Sequence, residues 1–184
     1  MVNSRQKGAS FERKIAKKFN EWCKDRWTFR RSPLSGGWDP KAQTGDIFPL
    51  ELKDTWPFII EVRKNELYTL DTVLSKDGII YKWFAEKKKL YAGHAEEHGL
   101  KNKPIIFVMC RNNVSPVVVF DGTDADVLLP EHKYRNTFLH IPHIRVKYGE
   151  YDFLFILDLD VFLRYFSVDH IFPIESEGEN GTDS

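Results

Sequence analysis

The sequence is poor in cysteine and contains no long apolar run. Its 184 residues include two cysteines, Cys23 and Cys110, too few for the disulfide framework of a small secreted scaffold. No segment approaches the roughly 20 consecutive apolar residues of a membrane-spanning helix. Residues 1–13 are polar and charged, unlike a signal peptide. These absences predict an intracellular, cytoplasmic protein with no membrane partner.

The chain has no net charge, but its two ends carry opposite charge. It contains 27 basic and 27 acidic side chains. Residues 1–31 hold ten Lys and Arg against three acids, whereas residues 150–184 hold nine acids against one Arg. A basic block of this kind favours a polyanionic partner such as nucleic acid, because Lys and Arg contact phosphates. A solvated helix face would have the same composition.

Apolar periodicity predicts the order of the secondary structure. Spacings of three and four residues predict a helix over residues 10–24, with Ser10 as its N-cap, and a second helix over 79–98. The second helix is expected to turn Lys87, Lys88 and Lys89 away from its apolar side. Alternating or apolar runs predict strands at 27–31, 46–50, 58–62, 104–109 and 116–120. A short helix is expected at 69–74 and a terminal one at 158–166.

This order is an αβββαβ arrangement, which predicts an α/β fold with a mixed central sheet flanked by helices. We expect one domain over residues 1–174, with its core at about 7–120 and a C-terminal extension at about 121–174. The Glu-, Gly- and Ser-rich residues 175–184 are predicted to be a disordered acidic tail. An exposed apolar patch in residues 151–166 would be the natural seat of a dimer contact.

The predicted hairpin of strands 46–50 and 58–62 brings two acids together. A turn centred on Lys53 and Asp54 places Asp46 directly opposite Glu61. Alternation in the second strand turns Glu61 and Arg63 to one face and the apolar side chains to the core. Two carboxylates suit Mg²⁺, which lowers the pKa of a bound water and neutralises transition-state charge, while an adjacent cation assists. The pattern therefore indicates metal-dependent phosphodiester hydrolysis.

These residues resemble a known group of nucleases. Asp46 followed by Glu61-Val62-Arg63 is similar to the D…ExK signature of the PD-(D/E)xK superfamily, which has a restriction-endonuclease-like αβββαβ core. A K-G-x-x-x-E-R helix at residues 7–13 and an R-S-x-x-S-G segment at residues 31–36 resemble the archaeal-type Holliday junction resolvases and related phage-encoded endonucleases. The resemblance covers residues 7–64 closely, and residues 67–120 in element order.

The resemblance implies a metal-dependent DNA endonuclease acting on branched DNA such as four-way junctions, in repair, recombination or phage DNA processing. It implies Mg²⁺, with Mn²⁺ as a substitute, no small-molecule cofactor, and a homodimer for symmetric cleavage. Asp46 and Glu61 would be the principal metal ligands, Glu12 an auxiliary ligand, and Arg63 a phosphate-stabilising cation. The residues expected to contact DNA are Lys7, Arg13, Arg30, Arg31, Ser35, Gly36, Gly37 and Lys64.

Two positions depart from the signature. Gly45 stands where the superfamily has proline, at a position that tolerates variation. Arg63 stands where it has lysine, and an arginine cannot release a proton as a base. Either Arg63 substitutes for the lysine, or a bulge brings Lys64 into the site, or cleavage is weakened. The last case gives the alternative of a non-catalytic DNA-binding module that kept the fold and the basic surface.

Two other patterns have more than one interpretation. Glu12 could be an acid favoured near a helix start by the helix dipole. His94-Ala95-Glu96-Glu97-His98 matches the H-x-x-E-H arrangement of some zinc hydrolases. A solvated helix end is the favoured interpretation of those two histidines, because no third ligand is apparent in the sequence.

Overall fold

The computed structural model describes residues 4–24, 26–32, 45–51, 56–66, 69, 78–124, 141–148, 151–166 and 168–171. These residues form a seven-stranded mixed sheet with strand order β1-β2-β3-β4-β5-β7-β6. The strands are β1 Phe29–Arg31, β2 Ile47–Pro49, β3 Ile59–Lys64, β4 Ile105–Cys110, β5 Val117–Asp121, β6 Ile144–Tyr148 and β7 Tyr151–Asp158. The helices are α1 Ser4–Trp22, α2 Ile79–Glu97, α3 Leu159–Tyr165 and α4 Val168–Ile171, with a 3₁₀ turn at Gly122–Asp124. The predicted α/β class is confirmed.

Helix α1 is longer at its N-terminus than predicted. It begins at Ser4, so Ser10 lies inside the helix and the predicted N-cap is wrong. The apolar stripe starts at Phe11, and a polar turn that precedes such a stripe gives no periodic signal of its own. Phe11, Ile15 and Phe19 are buried against the sheet, as their spacing predicted.

The register between β2 and β3 is the predicted one. Ile47 pairs with Ile60 in an antiparallel ladder, which places Asp46 opposite Glu61. The turn residues 52–55 lie outside the described part of the chain. Each of the two strands is shifted from its predicted bounds by one or two residues at its ends.

Strand β3 then pairs in parallel with β4, and α2 lies between them in the chain. The two faces of β3 pack into different cores. Ile60 and Val62 join the core beneath α1, whereas Ile59 joins the core beneath α2. Glu61 follows the alternation of Ile59 and therefore faces α2.

The C-terminal residues extend the same sheet. Strand β7 inserts between β5 and β6, and Asp158 caps α3 by accepting from the backbone N–H of Asp160 at 2.8 Å. Leu154, Phe162 and Phe166 are buried in the chain's own core. The predicted exposed apolar dimer seat over residues 151–166 is therefore wrong, because this segment covers the sheet and packs on α1. The predicted helix 69–74, apart from Thr69, and the tail 175–184 lie outside the described residues.

The length and the apolar content of the helices can be compared with those of a membrane-spanning helix. None of the helices in the described ranges combines the length and the apolar content that a membrane span needs.

Candidate active site

Asp46 is fixed to the neighbouring strand by two backbone contacts. Its N–H donates to the Ile60 carbonyl at 2.9 Å, and its Oδ2 accepts from the Val62 N–H at 2.9 Å. The carboxylate is thus held at the middle of β3, next to Glu61, at the point where β2 begins.

Gly45 allows this close approach of the two backbones. Its φ is +69°, and a Cβ at this position would lie 2.4 Å from the Ile60 carbonyl oxygen. A larger residue would therefore push Asp46 away from β3. The expectation that the position before Asp46 tolerates variation is wrong for this chain, because its backbone there lies against β3.

Glu61 is buried and is held by two side chains of α2. It is 4% exposed; its Oε1 accepts from the Tyr91 hydroxyl, and its Oε2 lies 2.8 Å from the Lys87 ammonium. Lys87 and Tyr91 are four residues apart, so they lie on one face of the helix. The buried charge of Glu61 is therefore neutralised and hydrogen-bonded, as a buried carboxylate requires.

The prediction that Lys87 and Lys88 point away from the apolar side of this helix is wrong. Lys87 reaches Glu61, and Lys88 forms a salt bridge with Asp121, which is buried. Long lysine stems pass along apolar surface while the ammonium finds a partner. Hydrophobic periodicity classifies residues by polarity and does not account for the length of a lysine side chain. The i, i+4 spacing of Lys87 and Tyr91 was the available signal, and it has meaning only once α2 is packed on β3.

Burial and the neighbouring acids raise the pKa of Asp46. Burial, and then the charge of Glu61, raises the pKa of Asp46 to about 7, and Glu12 adds to this rise. The Val62 N–H and the Lys87 ammonium act in the opposite direction. The same burial, together with Glu61, raises the pKa of Tyr91, so its hydroxyl remains a donor to Glu61.

Glu12 approaches this site from α1. Its carboxylate forms a salt bridge with Arg31, and both side chains are partly buried. Arg30, the preceding residue of β1, is exposed. In the described ranges, the ligand oxygens of Glu12, Asp46 and Glu61 do not all lie within 4.8 Å of one another. Glu12 therefore lies next to the Asp46–Glu61 pair, and its carboxylate is bound by Arg31.

Arg63 and Lys64 diverge from each other at the end of β3. The Arg63 guanidinium lies over the Trp83 ring, 4.6 Å from its centroid, on the α2 side. The pairing of β3 with β4 continues in register through Lys64 and Cys110. The bulge that would bring Lys64 beside Glu61 is therefore absent from this strand, so this one of the three alternatives for Arg63 is wrong. Lys64 lines a cavity on the side of α1.

Comparison with known proteins decides the family. A family model described as "Phage putative PDDEXK endonuclease" matches residues 3–173. The chain belongs to this family of phage PDDEXK endonucleases. No curated protein and no solved structure matches the chain.

Family membership confirms the resemblance of the chain to the PD-(D/E)xK superfamily. PDDEXK nucleases generally use divalent metal ions and act on DNA. The match also includes β6, β7 and α3, so the family extends well past the residues on which the sequence resemblance depended.

The residues predicted to contact DNA lie in two separate places on this endonuclease. Arg13, Arg30 and Arg31 line a hollow of about 370 Å³ between α1 and β1. Lys7 and Lys64 line a larger cavity on the other side of α1. The predicted loop residues Ser35, Gly36 and Gly37 lie outside the described residues.

A histidine group lies further along α2 than Tyr91. Ligand atoms of His94, Glu97 and His98 lie within 4.8 Å of one another. His94 is buried, so the predicted solvated helix end holds only for Glu97 and His98. Burial, and then the neighbouring His98, lowers the pKa of His94. The neutral imidazole that results is the form that ligates transition metals.

Proposed function

We propose that this endonuclease is Mg²⁺-dependent, cuts branched DNA such as four-way junctions and acts as a homodimer. The observation that carries the proposed site is the placement of Asp46 opposite Glu61, with Lys87 bound to Glu61. The junction preference rests on the helix and loop motifs at residues 7–13 and 31–36. We further propose that residues 1–174 form one domain, because the strands after residue 121 extend the same sheet.

Asp46 and Glu61 would hold the metal ion, and Glu12 would serve as an auxiliary ligand after it leaves Arg31. The donor set fits a hard divalent cation, because carboxylates crowd together and raise the pKa of Asp46. Among the described residues, Oδ1 of Asp46 has no hydrogen-bond partner, and the oxygens of Glu61 each have a second lone pair. When bound, the ion supplies a water of lowered pKa and neutralises charge on the phosphate.

Lys87 supplies the cation that the signature places two residues after the glutamate. Its ammonium lies 2.8 Å from Glu61, where it can stabilise negative charge that develops on the phosphate. Tyr91 fixes the orientation of Glu61 from the opposite oxygen. Arg63 would act further out, as a second phosphate-stabilising cation released from Trp83 when DNA binds.

Cleavage assays test the site directly. Labelled four-way junction, linear duplex and single-stranded DNA would be incubated with Mg²⁺ or Mn²⁺ and the native chain, Asp46→Asn, Lys87→Met or Arg63→Lys. We expect junction cutting to be abolished by Asp46→Asn and slowed on the order of 10²-fold or more by Lys87→Met. Arg63→Lys should preserve cutting. Lys89→Met is the matched control, because Lys89 is exposed on the same helix.

Each part of the proposal has its own contrary result. Salt-sensitive binding without metal-dependent cutting would favour the non-catalytic DNA-binding module. Equal cutting of linear duplex and junction would reject the branched-DNA preference, and a monomer in sedimentation with junction bound would reject the homodimer. Full activity of Lys87→Met would reject the proposed role of Lys87 and leave the other parts of the proposal unaffected.

A further inference from the structure

A cationic groove lies on the far side of α1 from Glu12. It is the cavity of about 820 Å³ between α1, the end of β3 and the β4–β5 turn. Its cationic lining residues are Lys7, Lys14, Lys18, Lys64 and Arg111. The acidic lining residue is Asp160, so positive charge predominates in the groove.

Most of this positive charge has no salt-bridge partner among the residues that the structure describes. Lys18 forms a salt bridge with Asp160. Within the described ranges, Lys7, Lys14, Lys64 and Arg111 form no salt bridge. These side chains come from three different elements, and Asn112, Asn113 and Ser115 of the turn add hydrogen-bonding groups. A site with this lining suits an anion that brings several negative charges.

The groove cannot share a phosphate with the carboxylates. At 100° per residue, Lys7, Lys14 and Lys18 lie roughly 200 to 240° around the helix axis from Glu12. Glu12 faces Asp46 and Arg31, so the three lysines face the opposite flank of the helix. A ligand in the groove is therefore a different segment from one being cut at Asp46 and Glu61.

The spacing of the lysines indicates an extended ligand. Lys7 and Lys18 are separated by about 16 Å along the helix at 1.5 Å per residue. One strand of duplex DNA carries a phosphate about every 3.4 Å along its axis, so this span corresponds to roughly five phosphates. A single phosphate or a mononucleotide would contact only part of the row.

We propose that the groove binds the phosphodiester backbone of a second DNA segment of the substrate, on the opposite flank of α1 from the segment being cut. The proposal rests on the proposed function for the identity of the substrate. A branched or strongly bent DNA brings two backbone segments to one protein, so the groove provides a physical basis for structure selectivity.

Binding measurements test the groove without cleavage. In an Asp46→Asn background, the variant Lys14→Ala/Lys64→Ala/Arg111→Ala would be compared with Lys82→Ala/Lys89→Ala/Lys101→Ala, which removes three exposed lysines elsewhere. Junction affinity would be measured over a range of NaCl concentrations. We expect the slope of log K against log salt to fall by about 2 to 3 for the groove variant, at about 0.9 per phosphate contact, and to stay unchanged for the control.

Kinetics in the otherwise native chain give a second readout. The groove variant should raise KM for the junction with kcat unchanged, because the groove holds DNA away from the reacting phosphate. The charge-preserving variant Lys14→Arg/Lys64→Arg should retain the native salt slope, and so show that charge and not shape is required. Circular dichroism would check that each variant is folded.

Three results would overturn the proposal. Equal salt slopes for groove and control variants would show that no phosphate contacts were lost. A fall in kcat at saturating junction would place the groove in the cleavage centre. Displacement of the junction from the groove by inorganic phosphate at low concentration would indicate a small-anion site. A chain that cuts nothing but keeps the groove-dependent slope would refute the endonuclease proposal and leave the groove standing.

Discussion

Asp46 should reduce the stability of the metal-free protein at neutral and alkaline pH. Its pKa is about 7 in the folded protein, against an ordinary value of 3.8, because of burial and the charge of Glu61. Between about pH 4 and pH 7, the folded protein therefore binds a proton that the unfolded chain has released. The free energy of unfolding consequently falls as the pH rises through this window.

Asp46→Asn removes this penalty, because asparagine is neutral at every pH and can still accept from the Val62 N–H. At 1.36 kcal/mol per pKa unit, the full shift corresponds to about 4 kcal/mol as an upper limit. The native chain has already lost part of this stability at about pH 5. The stability gain of Asp46→Asn over the native chain should therefore grow by about 2 to 3 kcal/mol between about pH 5 and about pH 8.

Urea denaturation in the presence of EDTA would measure this gain at both pH values. Saturating Mg²⁺ should then stabilise the native chain, by about 2.7 kcal/mol at one hundred times its Kd, and leave Asp46→Asn unchanged. A destabilising charge on Asp46 is contradicted if Asp46→Asn is no more stable than the native chain at about pH 8 in EDTA. A gain of equal size at both pH values would mean that the charge of Asp46 is not its cause.

Three further predictions concern the site and its support. Gly45→Ala should lower the free energy of unfolding by about 1 to 3 kcal/mol in chemical denaturation, because its φ is positive and its Cβ would lie 2.4 Å from the Ile60 carbonyl. Tyr91→Phe should cost about 1 to 3 kcal/mol in the same assay and weaken Mg²⁺ binding in titration calorimetry, because Glu61 loses a buried donor. Phe162→Ala should cost about 3 to 5 kcal/mol in urea melts, with no change of oligomeric state by sedimentation, because Phe162 is fully buried within one chain.

Each of these has a contrary outcome. For Gly45, the matched control is Gly93→Ala: nothing lies within 4 Å of its Cβ position in α2, so this variant should gain about 0.5 to 1 kcal/mol. Similar effects of the two glycine variants would contradict the close approach of Gly45 to β3. Unchanged Mg²⁺ affinity in Tyr91→Phe would remove Tyr91 from the support of Glu61. Dissociation of a dimer by Phe162→Ala would favour a dimer contact through residues 151–166 and contradict the burial of Phe162 within one chain.

Local pattern decided most of the secondary structure and the pairing of Asp46 with Glu61. Strand alternation and the centre of a short connection together fix the register of a hairpin, and the turn predicted at Lys53 and Asp54 gives a single register. Ile47 opposite Ile60 is that register, and it could be read from neighbouring residues alone. The D…ExK spacing depends on the same local geometry, so the superfamily was also recognisable from the sequence.

The partners of these acids were decided only by the tertiary structure. Lys87 and Tyr91 reach Glu61 because α2 crosses the sheet between β3 and β4, at a distance along the chain that no local period encodes. Arg63 lies on the face of β3 that was predicted, but its guanidinium contacts the Trp83 ring because of the way α2 packs on the sheet.

The same distinction explains the C-terminal region and the groove. The apolar segment 151–166 was predicted to form an exposed dimer contact, but the insertion of residues 151–158 as β7 between β5 and β6 places it in the core. The groove cations come from α1, β3 and the β4–β5 turn, and the fold alone places them together. Sequence by itself therefore determined most of the elements, the hairpin register and the pair of acids proposed to bind the metal, because these depend on residues close in the chain. Long-range packing decided which cations contact the acids and which cations line the groove.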